Sequence, residues 1–349
     1  MTTVDTALQN LLVKTLVKSQ ARGALLRVQS SDGRIDFRGS AGSATPDIRF
    51  PIASISKTYT AAMILQLVDE GRLTLDQKVQ GALPEVDLSS VHVVKGVDHR
   101  ADLTIRQLLF QTSGLADYYE GGVADDLIRS KDYAYGLAQV LDWARSGKPQ
   151  AAPDIGKAHY SDTNFQLLGA VIEAATGLSF GDALQERICG PLGLSRTALF
   201  DPTRDDNGRT LPVYHKALRL DVPLILSSMG PDGGIVADTD DLMTFLRALM
   251  AGQLFRRENL PALCDWRRLY FPLQYGGGLM RFKLPGWMTL WRPSPELIGH
   301  SGASGSFAYH APGPDIFLVG TFNQTDAPKR PFGFMLEVLK AIEAHGGRA

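Results

Sequence analysis

A chain of 349 residues with 44% hydrophobic content is long enough to bury a sizeable core in two packed layers. Its 36 basic and 37 acidic side chains nearly cancel, so no net field gathers a polyanion, and no basic run interleaved with aromatics points to nucleic acid. No run of 18 apolar residues could span a bilayer, so no membrane partner is expected, and Cys189 and Cys264, far apart in apolar surroundings, read as buried free thiols rather than a disulfide.

The first ten residues, Met1 to Asn10, lack the basic start, apolar stretch and small-residue cleavage site of an export signal, which predicts a cytoplasmic protein. Leu8, Leu11, Leu12, Leu16 and Val17 then recur at helical spacing over residues 4 to 18. Ala24 to Gln29 and Ile35 to Gly39, either side of Ser31-Asp32-Gly33, read as a strand hairpin.

The stretch Phe50 to Ala62 opens an apolar helix that Gly71 ends, and it sets Ser54 three residues before Lys57. Residues three apart on a helix share a face, so the Ser54 hydroxyl and the Lys57 amine can meet. A serine needs such a partner to become a nucleophile, and a helix N-terminus offers amides to a developing oxyanion. A serine in this position also commonly caps a helix.

Between residues 74 and 176 the pattern is helical pieces and long loops. Thr104 reads as the cap of a short helix that ends at Thr112-Ser113-Gly114. The loop beyond carries Asp117, Tyr118 and Tyr119, an aromatic pair suited to the lip of a pocket or to closing over the core. His159 to Gly169 runs into another helix through Ala175. Then follow a polar stretch at Asp205 to Gly208 and the loop Gly230 to Ile235, whose glycines suit a turn or a backbone close to a ligand.

From Gly277 the period becomes that of strands, at 279 to 282, 288 to 291, 297 to 300, 306 to 309 and 316 to 320, before a final helix from Phe334 to Ile342. The expected fold is α+β: an antiparallel sheet joined by the N-terminal hairpin and flanked by helices. Residues 1–54 and 177–349 would form one α/β subdomain of a single catalytic domain, with residues 55–176 inserted as a mainly helical lobe.

Ser54-Ile55-Ser56-Lys57, Tyr160-Ser161-Asp162 and His300-Ser301-Gly302, in this order, resemble the three motifs of the class C β-lactamase and penicillin-binding-protein-like serine hydrolases. The similarity extends to Gln111 to Leu115, Asn164 to Gly169 and Asp232 to Gly234. The resemblance implies the β-lactamase/transpeptidase-like fold and an acyl-enzyme formed at Ser54, with Lys57 and Tyr160 handling the proton. The amides of Ser54 and Ala303 would form the oxyanion hole. Asp162, His300, Ser301, Gly302, Tyr118 and Tyr119 would face the substrate, with no metal and no cofactor.

Two departures from the lactamase pattern bear on the reaction. Asp162 stands where asparagine is usual, and when ionised it can only accept hydrogen bonds. A carboxylate there would hold Lys57 charged, which leads to the expectation of a tyrosinate at Tyr160 as the base. His300 replaces the usual lysine, so a substrate carboxylate loses an anchor. The expected activity is an intracellular esterase or amidase on a small ester or amide. Its rivals are a transacylase, a D-amino-acid peptidase or β-lactamase on the same site, and a catalytically silent binding or scaffold protein. Gly299 to Ala303 also approaches the Gly-x-Ser-x-Gly elbow of α/β-hydrolases, but alanine replaces the last glycine and strand residues follow.

Overall fold

The computed structural model describes residues 2–19, 21–154, 156–203, 210–289, 295–327 and 329–345. The polar stretch 205–208 lies outside them, as do residues 290 and 291 of one expected strand.

The N-terminal helix α1 (Thr3–Ser19) leads into strands β1 (Gly23–Ser30) and β2 (Asp36–Gly42). Helices α2 (Ser56–Asp69), α3 (Ile105–Leu109), α4 (Asp162–Thr176), α5 (Pro223–Gly233) and α6 (Thr239–Met250) follow. The chain closes with β3 (Arg267–Tyr270), β4 (Leu273–Tyr275), β5 (Met280–Phe282), β6 (Leu297–Ser301), β7 (Ser306–Ala311), β8 (Ile316–Thr321) and helix α7 (Arg330–His345).

These eight strands form one sheet in the order β3-β4-β5-β6-β7-β8-β1-β2, antiparallel at every junction. The N-terminal hairpin joins the C-terminal strands through β1 and β8, with Leu25 opposite Thr321 and Ser30 opposite Ile316. Side-chain alternation fixes which helix covers which face. Arg27 and its cross-strand partner Arg38 both reach Asp240 of α6, whereas the neighbouring Gly39 faces Gln9 of α1. Helices α1 and α6 therefore cover opposite faces.

Two expectations are corrected here, and two strands are added. The segment 288 to 291 does not begin as a strand: Gly286–Thr289 is a short 3₁₀ helix, begun by the Met288 amide closing on the Pro285 carbonyl. Strands β3 and β4 carry no sequence signal because they are too short to show alternation. The loop expected at Gly230 is instead a kink inside α5, where Gly230 takes φ 41° and ψ −111°. Few other residues tolerate that conformation.

Helix α2 is enclosed on all sides: Ser56 to Leu65 and Leu67 are all buried. Small residues Thr58, Thr60, Ala61 and Ala62 allow α4 and α5 to close on it. Such an enclosed helix holds its first turn rigidly. Cys189 and Cys264 are free thiols. No single helix among the described residues is long and apolar enough to cross a membrane.

Candidate active site

Ser54 occupies a 3₁₀ turn, Ala53–Ile55, that runs straight into α2. The N-cap of α2 is Ile55 and no side chain caps it, so Ser54 is not spent as a cap. The turn is tight: Ala53 adopts φ 49°, a left-handed conformation costing roughly 1–3 kcal/mol in a residue with a side chain. Neighbouring hydrogen bonds hold it there. The Ile52 amide donates to the Ile235 carbonyl at 3.0 Å, Ser306 Oγ to the Ile52 carbonyl at 2.8 Å, and Ser304 Oγ to the Pro51 carbonyl at 2.7 Å. Ser54 itself remains half-buried and open to the cleft.

Lys57 lies one turn on and is fully buried. Its Nζ donates to Ser54 Oγ at 3.2 Å and to the Asp232 carbonyl at 2.7 Å, and it pairs with Asp162 Oδ1 at 2.5 Å. An ammonium has three N–H donors, and these three acceptors use them all. Burial opposes the charge, but Asp162 and Asp232 together outweigh it and hold the amine above the usual lysine range. The Gly230 kink makes this possible. It turns two α5 carbonyls towards α2, so that Thr60 Oγ1 donates to Pro231 O at 2.7 Å and Lys57 reaches Asp232 O.

Tyr160 precedes α4 and is half-buried, with Lys57 Nζ 5.2 Å from its ring centre. Burial and the Asp162 charge push its hydroxyl well above the ordinary range, and a hydrogen bond with Ser54 acts the other way. The tyrosinate expected from the sequence is therefore disfavoured. Lys57 has no donor left for the phenol oxygen, and a second negative charge would sit beside Asp162. Asp162 is also not turned to the cleft as a substrate contact. Its carboxylate is directed onto Lys57, and its side chain is only 10% exposed.

The segment 159–164 is clamped by the chain end of α3. Gln111 accepts the Ser161 amide on Oε1 at 2.9 Å and accepts Asn164 Nδ2 on the same oxygen, while its carbonyl accepts the His159 amide at 2.7 Å. Ser113 Oγ donates to Asn164 Oδ1 at 2.6 Å, and Ser161 Oγ to the Ala116 carbonyl at 3.0 Å. Asp117 Oδ1 then accepts the amides of Tyr119 and Asp162, each at 3.1 Å. Thus Gln111 to Asp117 fixes where Tyr160 and Asp162 stand.

His300 on β6 is fully buried. Its Nδ1 lies 2.7 Å from the Ser301 carbonyl, which assigns the proton to Nδ1, and Nε2 has no hydrogen-bond partner among the described residues. Burial and the Lys57 charge push the imidazole down to about 3, so it is neutral. Ser301 Oγ lies 2.9 Å from the Tyr309 hydroxyl, and Ser301 is paired opposite Phe307 in the sheet. No helix follows it, so it is not a hydrolase elbow.

Gly302 begins the turn that returns to β7, its amide donating to Ser306 O at 2.9 Å. A Cβ there would overlap Ser306 Oγ and the Ile52 carbonyl and lie 2.9 Å from Ala53 Cβ. This close approach sets the exposed Ala303 against the Ser54 turn. Gly302→Ala should therefore push the turn off Ile52 and Ala53, destabilising the fold by about 1–3 kcal/mol in urea titration and lowering kcat more than thermal stability alone explains.

Tyr118 does not form the cleft lip. It is buried in a second apolar cluster with Val140, Ile225 and Met229, because its hydroxyl donates to Asp232 Oδ2 at 2.8 Å. Tyr119 is the half-buried member of the pair. Sequence reasoning missed Tyr275 on β4, fully buried, whose ring stands edge-on to both Tyr160 and His300 at 5.8 Å. A tyrosine beside the run Gly276-Gly277-Gly278 was the available signal.

The Beta-lactamase family model matches residues 9–341. The chain belongs to the Beta-lactamase family. With its β-lactamase-like fold it is a serine hydrolase, as the relatives' activities indicate. Penicillin-binding protein 4 of Amycolatopsis lactamdurans is 28% identical over 78% of this chain and 71% of its own. The D-aminopeptidase of Brucella anthropi is 29% identical over 74% of this chain, and the match spans 46% of that protein. Monacolin J acid methylbutanoyltransferase of Aspergillus terreus is 28% identical over 52% of this chain and 48% of its own, so the chain spans about half the length of these last two relatives. Among solved structures, a D-stereospecific amidohydrolase from Streptomyces sp. aligns with a TM-score of 0.79 and 30% identity over 99% of both chains. D-amino acid amidase from Ochrobactrum anthropi SV3, at 24% identity over 98% of both chains and a TM-score of 0.81, shares the fold.

Proposed function

We propose that Ser54 is the nucleophile of an acyl-enzyme reaction on a small ester or amide, that Lys57 and Tyr160 carry the proton, and that the Ser54 and Ala303 amides hold the oxyanion. The observation that carries this reading is the 3.2 Å contact from Lys57 Nζ to Ser54 Oγ inside a buried, fully used set of donors. In the resting site Lys57 is an ammonium and cannot accept a proton. It becomes a base by passing one proton to Asp162, 2.5 Å away, which converts a buried ion pair into a neutral pair. Ser54 Oγ then attacks the carbonyl carbon as its proton moves to Lys57. Collapse of the tetrahedral adduct breaks the bond to the leaving alcohol or amine, which takes that proton through Tyr160. Water repeats the sequence on the acyl-enzyme and releases the acid.

Asp162→Asn tests the proton store. With no carboxylate to take its proton, Lys57 must lose that proton to solvent before it can act as base, so the acidic limb of kcat/KM should move to higher pH while kcat falls. An unmoved limb would contradict this role.

The amide side of the reading is supported by the relatives named as D-aminopeptidase and D-stereospecific amidohydrolase. A β-lactam is less well served, because the neutral His300 replaces a cationic anchor for its carboxylate. A second reading, transfer of the acyl group to an alcohol or amine instead of water, is favoured by the acyltransferase relatives. A panel of nitrophenyl esters, D-amino-acid amides and nitrocefin, each with a Ser54→Ala control and with added alcohol acceptors, tests these readings together. Ser54-dependent turnover of esters and amides above nitrocefin is expected, and acceptor-dependent product would favour transfer. Turnover that survives Ser54→Ala would overturn the assignment.

A further inference from the structure

We infer that Tyr275 is a positioning residue for the proton step at the leaving group: its ring braces Tyr160 beside Lys57, so that the Tyr160 hydroxyl meets the departing atom. This rests on the acyl-enzyme reading above and adds a residue to its machinery.

Hydrogen bonds hold the backbone that carries Tyr160. Gln111 accepts the His159 and Ser161 amides, and the Tyr160 carbonyl accepts Gln150 Nε2 at 2.7 Å. These bonds fix the Cα but not the side-chain torsions, so the direction of the ring is set by what packs on it. Lys57 Nζ stands 5.2 Å from the ring centre, and Tyr275 meets the ring edge-on, the centres 5.8 Å apart and the planes at 79°. Aromatic pairs favour that arrangement. Tyr275 is fully buried, so it reaches no substrate and acts only through the groups it packs against. On its other side it meets the ring of His300, again at 5.8 Å and at 85°. Being neutral, His300 backs Tyr275 without setting a second cation near Lys57.

A second observation shows that Tyr275 is held as firmly as the motif helix. The turn that follows it is built into the wall carrying Lys57. The Gly277 amide donates to the Leu263 carbonyl at 2.9 Å, and the Gly278 amide to the carbonyl of Leu109, the last residue of α3, at 3.1 Å. Gly278 takes φ 75°, and a Cβ on it would lie 2.5 Å from the Cβ of Ala61, one turn beyond Lys57 on α2. Strand β4, α2 and the end of α3 therefore meet beside Tyr275, and its ring shares their rigidity.

The step that needs this precision is the collapse of the tetrahedral adduct. The electron pair of the breaking C–O bond goes to the leaving oxygen. A nitrophenolate carries that charge unaided, whereas an ethoxide must gain a proton from Tyr160 as the bond breaks. Tyr160 recovers its proton from Lys57, which took it from Ser54. A displaced Tyr160 thus penalises the poorer leaving group selectively.

The test compares ethyl butyrate with nitrophenyl butyrate, which share the acyl group, so that kcat/KM reports acylation and the common deacylation drops out. In Tyr275→Leu the ratio of kcat/KM, ethyl over nitrophenyl, should fall by about 10- to 100-fold, as expected when a proton donor is misplaced by a fraction of an ångström to an ångström. Tyr275→Met, which fills more of the site, carries the same expectation should the leucine variant not fold, and the ratio cancels any loss of folded enzyme. Tyr275→Phe keeps the ring and should restore the ratio to within about twofold of the wild type. In a Tyr160→Phe background, Tyr275→Leu should lower the ratio no further, because the two side chains act as one unit. A ratio unmoved by Tyr275→Leu, a fall of the same size in Tyr275→Phe, or a full further fall in the Tyr160→Phe background would overturn the inference. Turnover persisting in Ser54→Ala, or a ratio unmoved by Tyr160→Phe alone, would instead overturn the acyl-enzyme reading beneath it.

Discussion

Ser54→Ala is expected to lower turnover of every ester and amide by about 10⁴- to 10⁶-fold while leaving the fold intact. The size follows from what the hydroxyl does: without it no acyl-enzyme forms, and the oxyanion donors and bound substrate give only residual catalysis. Structurally the change is mild. Ser54 is half-buried and caps no helix, and of its two side-chain partners, the Tyr160 hydroxyl and the Lys57 ammonium, the latter keeps Asp162 and the Asp232 carbonyl. A melting temperature near that of the wild type, with loss of kcat on esters and amides alike, is the expected pair of results. A loss confined to one substrate class would mean that the other is turned over elsewhere.

Lys57→Met should cost both activity and stability. Methionine fills much of the same volume, but it leaves Asp162 without its partner and the Asp232 carbonyl without its donor. Breaking a buried ion pair by removing one member costs about 3–5 kcal/mol at neutral pH. The pH dependence has a definite sign. Asp232 already stands at about 8, raised by burial and by Asp162 and lowered by Lys57, so removing Lys57 raises it further. An acid held above its unfolded value destabilises the fold once pH rises past that unfolded value. The variant should therefore regain stability as pH falls from 7 towards 5, measured by urea unfolding at both pH values. A penalty that does not shrink on acidification would show that Lys57 acts through packing alone.

The Ser54 to Lys57 spacing was legible because a helix turns spacing into contact, and it predicted a meeting that occurs at 3.2 Å. The sheet was legible where strands were long: β1, β7 and β8 each carry six or more residues. Strand β4 has three, too few for a period, and Tyr275 was lost with it. Tyr118 and Tyr119 are adjacent and chemically alike, yet only Tyr118 finds Asp232 beneath it, a pairing across 114 residues that composition cannot announce. The acceptor that completes the Lys57 set is a main-chain carbonyl, exposed by a kink at Gly230. Backbone groups carry no residue type, so sequence could offer the glycine but not the hydrogen bond. The motif residues supplied the chemistry; the long-range clamps from Gln111 and Asp117 supplied its geometry.

The central claim is that Ser54 is the residue that becomes acylated. An alkyl fluorophosphonate, which phosphorylates an activated serine and mimics the tetrahedral adduct, tests this most directly when followed by intact-mass and peptide mass spectrometry. The account predicts one adduct per chain, located on Ser54 and absent in Ser54→Ala. An adduct on Ser301 instead, or failure of the native enzyme to label at all, would contradict it.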